Sequence, residues 1–164
     1  MFTIADIRNI AIQIEKNGED TYRLAGSACK NPAVAKQLLL MADDERRHGE
    51  WLATAITMEQ PLTEEQREME ALGKTLLQDM VKGNPFLLDQ NDLQQSESVG
   101  EVLRRSQTFE QDTILFYQFI LGFLDTPEAV SQMQRIINEE QKHLQHLEEL
   151  EKKWLESAHE ALSC

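Results

Sequence analysis

Displaced by 95 residues, the second half of this chain falls on the first. Glu15 lands on Glu110, Tyr22 on Tyr117, Pro32 on Pro127, Glu45 on Glu140 and His48 on His143, while Asn31 meets Thr126. Asp44 meets Glu139, Arg47 meets Lys142 and Leu52 meets Leu147. Each half reads E-x6-Y, then N/T-P, then [DE]-E-x-x-H, with no insertion or deletion between the marks. Tyr22 and Tyr117 are the 2 tyrosines of the chain and occupy equivalent places. A repeat of this kind constrains the fold strongly, because whatever one half builds the other must build too.

The unit being repeated is a helical hairpin. Ile4, Ile7, Ala11, Ile14, Gly18, Thr21 and Ala25 recur at steps of three and four, which predicts a helix from about Ile4 to Ala28, opened by Thr3 with Asp6. Asn31-Pro32 is a capping residue followed by proline in the first turn, and starts a second helix running to near Met58. Ser98 with Glu101 starts the corresponding helix of the second half, through Val102, Phe109, Phe116 and Ile120 to Leu124. Thr126-Pro127 starts its partner, which runs through Met133, Ile136, Leu144 and Leu147 to Trp154, with a frayed tail after it. Tight turns make each pair an antiparallel hairpin. Between them, Thr63 with Gln66 opens a short helix over Pro61 to Lys82, ended by Gly83-Asn84-Pro85, and Asn84 to Glu97 reads as loop.

The expected class is therefore all-α: one domain over 1–164, with helical hairpins at 3–58 and 98–155 joined by a crossover at 59–97. The long crossover distinguishes this bundle from an up-down-up-down one, whose loops are all short. Composition agrees, since 7 Gly and 4 Pro in 164 residues leave little turn chemistry, and Val, Ile and Thr are too sparse and unpatterned for a sheet.

The net charge of −13 speaks against nucleic acid and against an anionic membrane surface, both of which need a basic patch. Cys29 and Cys164 stand far apart with no CxxC pair, so they build neither a disulfide scaffold nor a thiolate metal knuckle. The charged N-terminus is unlike a signal peptide, and no uncharged run approaches the ~20 residues of a membrane span. A soluble, cytoplasmic protein is the expectation.

The repeated marks carry the chemistry. Glu15, Glu45, His48, Glu110, Glu140 and His143 all fall on the apolar stripes that should face the core. Buried, unpaired carboxylates cost several kcal/mol each or take up protons. The nearest bases, Arg46, Arg47 and Lys142, lie off those stripes. Buried cations answer the problem, since four glutamates carry −4 and two ferrous ions +4. Residues at i and i+3 share a helix face, so each Glu-x-x-His can grip one centre. One glutamate from each of two helices, plus Glu-x-x-His from each of the other two, is the donor set of dinuclear carboxylate bundles. Mixed carboxylate and imidazole without thiolate suits iron, and manganese fits the same donors.

On these residues the chain resembles the ferritin-like diiron superfamily, and within it the erythrin domain of the rubrerythrins, over about residues 3 to 155. The resemblance implies a ferritin-like four-helix bundle in which Glu45 and Glu140 bridge two irons. Glu15 with His48 would be terminal ligands of one, and Glu110 with His143 of the other. Tyr22 and Tyr117 would hold carboxylates by hydrogen bonds. It further implies a non-haem diiron oxidoreductase that reacts two irons with O2 or H2O2, by ferrous iron oxidation or peroxide reduction. Two departures matter. The chain has no rubredoxin module, so turnover requires an external electron donor. Nor is there an extra glutamate one turn from Glu110, where Gln107, Thr113 and Ile114 stand, so the set is a symmetric one of six. An iron-binding or storage subunit without turnover and a dimanganese catalase-like enzyme are the alternatives. A homodimer through an outer helix face is compatible with the sequence. His146 and His159 receive no ligand role.

Overall fold

The computed structural model describes residues 4–29, 31–56, 63–65, 67–68, 71, 99–124 and 126–156, without the side chains of 4–6, 99–102 and 154. Four long helices make up the bundle among these residues: α1 (Ile4–Ala28), α2 (Pro32–Ala55), α3 (Val99–Ile120) and α4 (Pro127–Glu156). The expected Thr3 and Ser98 starts, the end near Met58, the loop at 84–97, the tail beyond 156 and most of the crossover helix lie outside the described residues. Within the crossover, residues 64, 65, 67, 68 and 71 are helical, and Arg67 donates its N–H to the Thr63 carbonyl at 3.0 Å.

Local chemistry starts the second helix of each hairpin. The Asn31 side chain accepts from the backbone N–H groups of Ala33 and Val34, at 3.0 and 3.2 Å. Thr126 Oγ1 accepts from Ala129 N at 3.2 Å. Each satisfies donors that the first helical turn cannot pair internally. The expected continuous helix to Leu124 is modified at its end. After Ile120 the chain tightens into a 3-10 turn at Leu121–Phe123, which buries Phe123.

α1 packs along α2, and α3 along α4, while α2 and α4 meet more sparsely. Two apolar clusters fill the interior. One gathers Ile7, Ala11 and Ile14 of α1 with Leu52 of α2 and Ile56 just after it, Phe116 and Ile120 of α3, and Met133 and Ile136 of α4. The other gathers Tyr22, Leu38, Met41, Ala42, Leu103 and Leu147. The start of α1 thus lies with the end of α2, the end of α3 and the start of α4. It follows that α2 and α3 run parallel, so the end of α2 and the start of α3 stand at opposite ends of the bundle, about the 33 Å length of the 22-residue α3 apart. This is the ferritin-like connection.

The six repeated acids and histidines lie between the two clusters. Each fully buried large apolar side chain contributes roughly 1.5–3 kcal/mol. The clusters therefore hold together a bundle whose middle layer, being charged, opposes burial. Among the described residues, no helix is long and apolar enough to cross a membrane.

Candidate metal centre

Glu15 (α1), Glu45 and His48 (α2), Glu110 (α3), and Glu140 and His143 (α4) converge in the middle of the bundle, none more than 3% exposed. Their donor atoms form two quartets that share Glu45 and Glu140. Glu15, Glu45, His48 and Glu140 make one, and Glu45, Glu110, Glu140 and His143 the other, with the donors of each within 4.8 Å of one another. His48 Nδ1 lies 2.7 Å from Glu140 Oε1 and 3.6 Å from Glu15 Oε2. His143 Nδ1 lies 3.1 Å from Glu45 Oε1, 3.0 Å from Glu140 Oε2 and 3.7 Å from Glu110 Oε1.

The inner faces of these groups are short of partners. Both oxygens of Glu45 and of Glu140, Oε2 of Glu15 and of Glu110, and Nδ1 of both histidines are buried without a hydrogen bond. Their outer faces are engaged. Tyr22 Oη donates to Glu110 Oε1, and Tyr117 Oη to Glu15 Oε1, each crossing from one hairpin to the other. His48 Nε2 is 2.8 Å from Glu139 Oε2, and His143 Nε2 is 3.1 Å from Asp44 Oδ2. A carboxylate accepts, so each Nε2 carries the proton and each Nδ1 turns inward, the orientation a metal-ligating imidazole needs. Eight unpartnered donor atoms aimed at one interior volume fit two divalent cations.

Electrostatics describes the same pressure. Burial, reinforced by the charges of Glu45 and Glu140, pushes the Glu15 carboxyl well above its usual range, and Glu110 follows for the same causes. Burial also opposes the charge of Glu140, but His48 and His143 draw it down to about 2. Burial works against a charged His48, yet Glu140 and Glu15 lift it to about 12, and His143 is raised by Asp44, Glu140 and Glu45. Burial and the Glu110 charge push the Tyr22 phenol well up, so it stays a donor. Protons and metal cations therefore compete for the same sites, and a cation must displace the protons to enter.

The Rubrerythrin family model matches residues 6–151. The chain belongs to the rubrerythrin family. No curated protein matches the sequence. Among solved structures it is similar to a Thermotoga maritima protein described as a ferritin-like diiron-carboxylate protein, at TM-score 0.65 and 23% identity, covering 92% of this chain and 95% of that one. At that identity the likeness establishes the shared fold.

Within this rubrerythrin-family chain, the structure brings together all eight residues singled out from the repeat. It adds two that sequence reasoning left without a role, Asp44 and Glu139, each directly before the glutamate of a Glu-x-x-His. Their signal was present, since the two coincide in the repeat. Asp44 also pairs with Arg47, and although burial opposes its charge, His143 and Arg47 hold its carboxyl below the ordinary range. Among the described residues, the third helix supplies no seventh carboxylate. Gln107 donates to Glu151 at 2.7 Å, Thr113 Oγ1 donates to the Phe109 carbonyl at 2.9 Å, and Ile114 belongs to the apolar core. His146 stays outside the cluster, half-buried, with Nδ1 2.9 Å from Gln37 Nε2.

Proposed function

We propose that this chain is a diiron oxidoreductase that binds two ferrous ions and reacts them with O2 or H2O2. One observation carries the reading: two buried quartets of mixed carboxylate and imidazole donors share Glu45 and Glu140, with inward atoms that no hydrogen bond satisfies. Glu45 and Glu140 would be shared between two ions, with Glu15 and His48 holding one and Glu110 and His143 the other. Four carboxylates with neutral histidines balance two divalent ions in a layer closed above and below by apolar side chains. Mixed carboxylate and imidazole donors without thiolate suit iron, and manganese fits the same set. A bound ferrous pair supplies the two electrons that take H2O2, with two protons, to two waters.

The remaining work belongs to the protein. Tyr22 and Tyr117 fix the carboxylates of Glu110 and Glu15 from the outer side, leaving the second oxygen of each for an ion. Glu139 and Asp44 set the tautomer and ring orientation of His48 and His143. These 164 residues hold no CxxC pair, so the electrons for any cycle reach the site from outside this bundle.

Anaerobic titration with Fe(II) tests the binding, with two equivalents per chain expected. Rapid mixing of the loaded protein with O2 and with H2O2, followed by near-ultraviolet ferric absorption, tests the reaction. A stoichiometry other than two would overturn the dinuclear reading. Oxidation no faster than that of free ferrous ion by both oxidants would leave a binding or storage role, and rapid O2 release from peroxide by the manganese-loaded form alone would assign a dimanganese catalase.

A further inference from the structure

Glycine is among the weakest helix formers, yet Gly18 lies well inside α1, three residues after Glu15. A β-carbon at Gly18 would lie 3.2 Å from Glu45 Cγ, 3.3 Å from Glu45 Cδ and 3.3 Å from Phe109 Cε1. Gly49 on α2 is its reciprocal, because a β-carbon there would lie 3.3 Å from Glu15 Cβ. Gly18 and Gly49 thus each face a glutamate on the opposite helix.

The repeat isolates what these glycines are for. At the equivalent positions the second hairpin carries Thr113 and Leu144, so the bundle architecture itself does not require glycine. Phe109 in turn corresponds to Ile14, and both are buried. Bulk is exchanged between the halves: the half with glycine has the large aromatic against it, while threonine shares its register with the smaller aliphatic. Core volume can be balanced either way. What Gly18 leaves, with Phe109 beside it, is room for the Glu45 side chain, whose two oxygens, like those of Glu140, are buried, unpartnered and turned toward the quartets.

We propose that Gly18 is a positioning residue of the metal centre, providing the volume in which Glu45 turns both oxygens inward, while Gly49 lets Glu15 approach from the facing helix. The inference rests on the quartets being metal sites. Without a metal, the flexible Glu45 side chain can yield to an added methyl group. With both oxygens committed to cations it cannot, so the methyl group penalises the loaded state selectively.

The test compares Gly18→Ala with Gly26→Ala in the full chain, using Co(II) titration by visible absorption and melting temperature without metal. Gly26 is also closely packed, with a β-carbon 2.9 Å from Leu39 Cγ and 3.2 Å from the Ala35 carbonyl oxygen, but it contacts no ligand. G18A should melt without metal at or above the wild-type temperature and bind Co(II) about tenfold more weakly or worse, the equivalent of about 1.4 kcal/mol. G26A should lose melting temperature and keep its Co(II) affinity. In G18A/F109I the aromatic clash is relieved while the Glu45 clash persists, so weak binding should remain.

Wild-type affinity in G18A, a large drop in its metal-free melting temperature, or recovery of affinity in G18A/F109I would each assign Gly18 to core packing and overturn the proposal alone. Absence of Co(II) binding by the wild-type protein would overturn the metal reading and the proposal together.

Discussion

Asp44 on α2 reaches the imidazole of His143 on α4, with Oδ2 3.1 Å from Nε2, and Glu139 on α4 answers it by reaching His48 on α2 at 2.8 Å. Each histidine is thus oriented by an acid from the other hairpin. Partners of this kind typically contribute 10–100-fold to metal affinity. Asp44→Ala and Glu139→Ala are each expected to weaken iron binding by about that factor, read by competition with a chromophoric chelator. Unchanged affinity in both would assign these acids to the surface.

The tyrosine pair makes the same exchange. Removing a hydroxyl by Tyr22→Phe or Tyr117→Phe leaves a buried carboxyl oxygen without its donor, a loss of about 1–3 kcal/mol. Denaturant unfolding of the metal-free protein should register that loss for either variant. The double variant should still bind metal, because the inward oxygens of Glu15 and Glu110 are untouched.

Stability without metal should fall as pH rises above the ordinary carboxyl range. Glu15 and Glu110 titrate higher in the folded chain than in the unfolded one, so their contribution is complete below the unfolded value of 4.5 and is lost as pH rises through the folded values. His48, raised from 6.5 to about 12, contributes below 6.5 and loses that contribution as pH climbs through about 12. Glu140 acts oppositely: its contribution is present above 4.5 and lost as pH falls through about 2. Cation binding displaces the protons of the raised groups, so the metal-induced rise in melting temperature should grow from pH 5 to pH 8. Paired melts with and without Fe(II), under anaerobic conditions, measure it.

Glu45→Gln and Glu140→Gln separate burial from ligation. Each removes a buried charge that repels Glu15 and Glu110, and each takes a carboxylate oxygen from a residue shared by both quartets. Chelator should leave the melting temperature of either variant unchanged. In the wild-type protein, metal at 100 times its dissociation constant is worth ~2.7 kcal/mol, and chelator should remove it.

Much of this was legible in the chain because the decisive signals are local or repeated. Asn31-Pro32 and Thr126-Pro127 start helices by chemistry contained within one turn. The ligands were legible because one offset aligned them and helical spacing placed Glu45 with His48, and Glu140 with His143, on inward faces. Asp44 and Glu139 were visible as a match but not as partners, because which acid meets the far side of a histidine depends on how two helices cross. The tightening at Leu121–Phe123, which carries the buried Phe123, had no sequence mark. Gly18 looked like one more small residue on a stripe, since its value depends on a neighbour contributed by another helix.

The parallel run of α2 and α3 has a consequence for how such a chain can be divided. A break anywhere in the crossover separates the protein into two fragments, one carrying Glu15, Glu45 and His48 and the other Glu110, Glu140 and His143. Neither fragment owns a quartet, because each lacks the shared glutamate of its sibling. Metal would therefore act as the glue of reassembly, and two copies of the chain exchanging hairpins would build the same pair of sites as one copy folding on itself.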